Sequence, residues 1–162
     1  TLSSSSAASD VYKRQVLFMG PIFYALYRQG LKEKKSKKAL QNLAKEHNIN
    51  LDYTEISNSL VLGLDKTQHK LLILEPANAS QYQLIELSEV NKTSVIKRSV
   101  SFTENEKRKT KIIKVSIELR SKSNHKRITE ILFYDEDGAE NYDMETQLFA
   151  ASRWNNLIQA SL

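Results

Sequence analysis

Beyond about residue 51 the hydrophobic pattern has a period of two, and seven strands are predicted. They run Asp52–Ser57, Leu60–Asp65, Lys70–Glu75, Tyr82–Leu87, Thr93–Phe102, Thr110–Arg120 and Ile128–Tyr134. The sixth is the clearest. Ile113, Val115, Ile117 and Leu119 point one way and Lys114, Ser116, Glu118 and Arg120 the other, as in a sheet with one dry face. In the fifth, Ile96, Arg98, Val100 and Phe102 alternate with Lys97, Ser99 and Ser101, and Phe102, like Phe133, is predicted to pack within its sheet. Turn-forming residues separate the strands: Ser57-Asn58-Ser59, Asp65-Lys66-Thr67, Pro76-Ala77-Asn78 and Ser121–Asn124. These gaps are too short for crossover helices, so the strands should pair sequentially and antiparallel.

Helical spacing brackets this β region. After Asp135-Glu136-Asp137-Gly138, the residues Met144, Leu148, Ala151, Trp154 and Ile158 recur at helical intervals, with Leu157 widening the stripe. Asn141 or Asp143 is placed to cap that helix, Asp143 and Glu145 suit its positive end, and Trp154 should be its largest buried contact. Upstream, Leu31 to His47 reads as a lysine-rich helix. Its modest stripe is Ala39, Leu40, Leu43, Ala44 and His47, and Asn48 can end it in a left-handed conformation.

Further upstream the pattern has no period. Val16 to Tyr27 is apolar on every side, and a dense cluster of Arg28, Lys32, Lys34, Lys35, Lys37 and Lys38 follows, broken by Glu33. An apolar run followed by retained lysines is what a membrane exit on the cytoplasmic side looks like. A full span needs about 20 apolar residues. This run is shorter, so a span cut at its front is expected. A signal peptide would carry its positive charges before the run and small residues after it, and Leu26-Tyr27-Arg28-Gln29 offers neither. A buried or interfacial helix is the other alternative. Gly20-Pro21 would break a soluble helix but is tolerated in a bilayer, and Tyr24 and Tyr27 suit a membrane boundary. The six basic residues are accordingly the candidate contacts to anionic headgroups, each worth on the order of 1 kcal/mol, or else they only set topology.

Charge sharpens this division. The chain of 162 residues carries a formal +5, but residues 28–47 hold seven Lys/Arg against two Glu, and residues from 50 onward hold fifteen Lys/Arg against sixteen Asp/Glu. A globally basic nucleic-acid-binding domain is not what this distribution describes. The alternative kept open is a peripheral binder of nucleic acid or other polyanions through Lys32–Lys38 and Lys107–Lys111. Lys107-Arg108-Lys109 and Lys122, His125, Lys126 and Arg127 are read as two hairpin loops at opposite ends of the meander, most simply solvated tips.

Residues 1–15 are set aside. Asp10-Val11-Tyr12-Lys13-Arg14-Gln15 resembles the translation of a transposase adaptor used in sequencing libraries, and the serine-rich lead resembles the read-through that accompanies it. The organisation expected is therefore a lead at 1–15, a truncated membrane segment at 16–27, a basic juxtamembrane helix at 28–50 and a domain at 51–162.

Seven short antiparallel strands followed by one amphipathic helix bearing Trp154 resemble the pleckstrin-homology-like fold, as a sheet or barrel with a C-terminal helix. The whole layout also resembles uncharacterised bacterial single-span proteins. The resemblance implies a membrane-proximal binding scaffold with a protein partner, on the cytoplasmic side of an inner or plasma membrane. Lipid-binding members place basic residues around the loop between the first two strands. Here that loop, Ser57-Asn58-Ser59, is uncharged, so specific phosphoinositide recognition is not expected.

Little in the chain points to chemistry. There is no cysteine, which excludes disulfides, thiolate catalysis and cysteine zinc sites. His47, His69 and His125 lack partners at metal-ligand spacing, and no glycine-rich phosphate loop or nucleophile elbow occurs. No catalytic, cofactor-binding or metal residue is assigned, no cofactor is called for, and the domain is read as a non-enzyme. Under the cytoplasmic topology the sequons at Asn78 and Asn91 are chance matches.

Overall fold

The computed structural model describes residues 24, 27, 28, 30–57, 60–76, 78–104, 107–124, 126–138 and 143–162. The lead at 1–15, most of the expected membrane segment at 16–27, and His125 lie outside them. Within them a helix, α1 (residues 30–46), precedes seven strands: β1 Tyr53–Ile56, β2 Val61–Asp65, β3 Lys70–Glu75, β4 Asn78–Glu86, β5 Val90–Glu104, β6 Lys107–Ser121 and β7 Arg127–Asp135. A single 3-10 turn, Leu87–Glu89, links β4 to β5, and α2, Met144–Gln159, closes the chain.

All pairing is antiparallel and sequential, as the short connections require. The strands form two sheets, β1-β2-β3-β4 and β5-β6-β7. They do not close into a barrel. Among the described residues β4 passes to β5 through the 3-10 turn instead of pairing with it, so the barrel form of the expectation is corrected to two packed sheets.

The main core lies between the sheets and beneath α2. Leu60, Leu62, Leu64, Leu71 and Ile85 come from the first sheet, Val115, Ile117, Leu119, Ile131 and Phe133 from the second, and Ala151, Trp154 and Ile158 from α2. The alternation expected on the sixth strand is present in Val115, Ile117 and Leu119, all fully buried. A register shift opposite Arg98 and Ser99 breaks it below Lys114, so that Ile112 packs against the core in place of the expected Ile113. α2 begins at Asp143, whose carboxylate accepts the Thr146 backbone N–H at 2.9 Å and the Thr146 hydroxyl at 2.6 Å. These two bonds hold the Asp143 carboxyl below its ordinary pKa. At its other end α2 is held where His69 Nδ1–H donates to the Ser161 carbonyl at 2.6 Å.

A second, smaller core lies on the opposite face of the first sheet. Leu40 of α1 packs with Val61, Leu72 and Leu74, flanked by Ala39, Leu43, Leu51, Ile56 and Leu84. β2 is consequently buried along its whole length, one face to each core. Gly63 makes this approach possible. A Cβ there would stand 2.6 Å from Leu51 Cδ2 and 3.1 Å from Leu40 Cδ1, so both leucine side chains would have to shift.

Candidate functional site

The basic cluster rides on α1, and the second core determines how it is presented. Leu40 and Ala44 turn inward, while Arg28, Lys32, Lys34, Lys35, Lys37 and Lys38 are all exposed. The Arg28 guanidinium lies 5.8 Å from the centre of the exposed Tyr24 ring. Within the cluster, 28/32, 32/35, 34/37, 34/38 and 35/38 are like-charged neighbours at three- or four-residue spacing, and Glu33/Lys37 is the opposing attractive pair. Each such neighbour costs an isolated helix about 0.2–0.5 kcal/mol. The helix therefore carries self-repulsion that a facing anionic surface would relieve.

The C-terminal end of α1 is fixed to the sheet by polar contacts. Asn48 has φ of 54°, the left-handed cap expected from the sequence, and its carbonyl accepts from Gln68 Nε2 at 2.6 Å. His47 Nε2 and the Tyr82 hydroxyl share a hydrogen bond at 2.9 Å, so α1 reaches from Gly63 on β2 across to β4.

Beneath this corner, buried Asp65 accepts the backbone N–H of Asn50 and of Gln68, each at 2.8 Å. Burial pushes the Asp65 carboxyl up, but the N–H groups of Gln68, Asn50 and Thr67 and the nearby Lys70 outweigh it and hold the pKa below the ordinary value. Its stabilising contribution is therefore complete above the unfolded pKa of about 4 and is lost as the pH falls through the lower folded value. In D65N an amide NH2 must face one of those donors. The expected cost is about 1–3 kcal/mol near neutral pH, with a shallower acid limb in the stability curve. Urea midpoints at neutral and acid pH check this, and equal acid losses in D65N and the parent would contradict the assignment.

The second basic segment is arranged differently from expectation. Lys107-Arg108-Lys109 do not form a loop; they begin β6, which with β5 makes a hairpin of two 15-residue strands. β7 pairs with β6 only as far as Lys114↔Asp135, so among the described residues the outer part of the hairpin has no third strand. Phe102 consequently lies 43% exposed and Val100 48% exposed, which corrects the expectation that Phe102 is packed. Phe133, two strands over on β7, is buried as expected. Lys122, Lys126 and Arg127 sit at the opposite end of β6, so the two basic segments are separate.

A groove of about 450 Å³ runs between β3 and β4 of one sheet and β7 of the other, lined by Leu60, Ile73, Tyr82, Gln83, Thr129 and Ile131 among others. Its Glu130 carboxylate receives Lys114 Nζ at 2.9 Å and Arg127 Nη1 at 2.8 Å. The hydrogen bonds from Lys114 and Ser116 hold the Glu130 pKa below its ordinary value, so this carboxylate is committed as a charged acceptor. Among the described residues no three His, Asp or Glu side chains converge as metal ligands. No helix of the described residues is long and apolar enough to cross a membrane.

Fold and surface together define a two-sheet β domain with a C-terminal helical lid and a basic helix docked on its back. No family model, curated protein or solved structure matches the chain.

Proposed function

We propose that the protein is a membrane-tethered interaction module. In this reading the segment at 16–27 belongs to a single span of an inner or plasma membrane, the domain lies on the cytoplasmic side, and Arg28, Lys32, Lys34, Lys35, Lys37 and Lys38 lie along the anionic headgroups of that face. The β domain is then held at a set attitude to receive a protein partner. One observation carries the reading: α1 is joined to the sheet through Leu40, Leu43 and the Gly63 notch while its lysines stay outward. A basic arm that only set topology would not need to be packed against the domain. The pleckstrin-homology-like resemblance is supported by the division into four and three antiparallel strands and by Trp154, 1% exposed, on the closing helix. A binding role, as opposed to a catalytic one, is supported by the ion-paired state of Glu130 in the groove.

Alkaline carbonate washing of membranes from cells making the protein at native length tests the tether. The protein is expected in the pellet. Release into the supernatant would end the anchored reading.

A further inference from the structure

The outer part of the β5–β6 hairpin is a two-stranded ribbon with its own chemistry. Residues directly opposite on antiparallel strands share a face, and the register places Val100 opposite Lys111 and Phe102 opposite Lys109. One face of the ribbon thus carries two exposed apolar side chains beside two lysines. The opposite face carries Ser101 and Thr110, whose hydroxyl oxygens lie 3.5 Å apart, and the pair Thr103 and Arg108. Two-stranded ribbons are at best marginally stable in water, and exposed aromatic and β-branched groups on one are unusual without a surface to receive them.

The charge is as uneven as the packing. Residues 97–114 hold seven Lys/Arg against Glu104 and Glu106, net +5, whereas the rest of residues 50–162 holds eight Lys/Arg against fourteen Asp/Glu, net −6. The hairpin is thereby the most basic stretch of a near-neutral domain, with the smaller cluster of Arg120, Lys122, Lys126 and Arg127 at the opposite end of β6. An anionic surface attracts this stretch. At the root, Lys111 is engaged by Glu136 and Lys114 by Glu130.

We propose that this ribbon is a second membrane contact, docking on an anionic bilayer with Phe102 and Val100 at the headgroup–acyl boundary and the surrounding lysines on lipid phosphates. Val100 favours a bilayer over nucleic acid, because an aliphatic side chain has no π-face on which a base could stack, whereas both groups gain from leaving water for lipid. The proposal extends the tethered reading, and its test separates the two.

Because the chain has no cysteine, V100C and S123C each provide a single site for an environment-sensitive fluorophore. V100C leaves Phe102 in place, and S123C lies on the exposed β6–β7 turn. The labelled full chain is mixed with vesicles of phosphatidylcholine alone or with about one third phosphatidylglycerol. Sedimentation with neutral vesicles reads the anchor. The expected ribbon result is an emission gain on the order of threefold at position 100 on anionic vesicles, quenched by lipid-borne nitroxide. That gain should be lost in R108E/K109E and absent at position 123. A response at 100 without sedimentation on neutral vesicles keeps the ribbon contact and shows that residues 16–27 alone do not anchor the chain. A label at 100 that stays in water on anionic vesicles overturns the proposal, whether or not the chain is bound. So does a response to duplex DNA in place of vesicles, which would reassign the ribbon to nucleic acid.

Discussion

Trp154→Ala is expected to destabilise the protein by about 3–5 kcal/mol, the range for deleting a buried large aromatic side chain. Stabilities of single domains run about 5–15 kcal/mol, so the variant should be close to its unfolding threshold. The size of the effect follows from position. Trp154 is 1% exposed and sits where α2 meets both sheets, its ring in the main core. Its indole Nε1–H also donates to Glu55 Oε2 of β1 at 3.0 Å, beside the Arg153–Glu55 ion pair. Deleting the side chain opens a cavity and takes away a hydrogen bond that joins α2 to the first sheet. Trp154→Phe separates these contributions. It retains most of the ring and loses the indole N–H, leaving an expected cost of about 1–2 kcal/mol plus a small cavity. Urea unfolding of the three proteins would measure both. An alanine variant within 1 kcal/mol of the parent, about the worth of an ordinary exposed change, would show that α2 is not integral to the core.

Gly63→Val should act on one face of the first sheet and spare the other. The new Cβ falls against Leu51 and Leu40, and the branches have no free direction, because β2 is buried on both faces. Overpacking of this kind costs about 1–3 kcal/mol. The least costly relief is for α1 to lift, since it holds the sheet through a small cluster while β2 is hydrogen-bonded on both sides. Hydrogen exchange should therefore accelerate at residues 40–46, with protection of Val115–Leu119 and Ile131–Phe133 retained. In the tethered reading the domain would then hang from a flexible arm, keeping membrane association but losing a set attitude. Uniform loss of protection across both sheets would mean that α1 is part of the global folding unit.

Much of this architecture is legible from local patterns. β3 falls at Lys70–Glu75, as predicted, and the other strands lie within a few residues of their predicted centres. Asp143 caps α2, and Asn48 ends α1 with positive φ. The strand sequences also encode cover on both faces of the first sheet. Leu60-Val61-Leu62-Gly63-Leu64 and Leu71-Leu72-Ile73-Leu74 do not alternate, and continuous apolar strands imply cover on both faces. Only a helix remained to supply the second cover, and the Ala39–Leu40–Leu43–Ala44 stripe is that helix's buried face.

Turn residues, period and caps are encoded within a few neighbours along the chain, because each reflects backbone geometry or the pleat of one strand. For that reason the order of elements, the antiparallel pairing and the placement of Trp154 toward a core could be derived without coordinates. Which faces find partners is a different matter, since it depends on how far an adjacent strand extends and what lies across a sheet. Phe102 and Phe133 occupy similar alternating strands, yet one meets solvent because β7 ends opposite Lys114, and the other meets the core. Similarly, the lysines of α1 are basic in any conformation, but the packing of Leu40 beside Gly63 across distant sequence turns them outward on a fixed support.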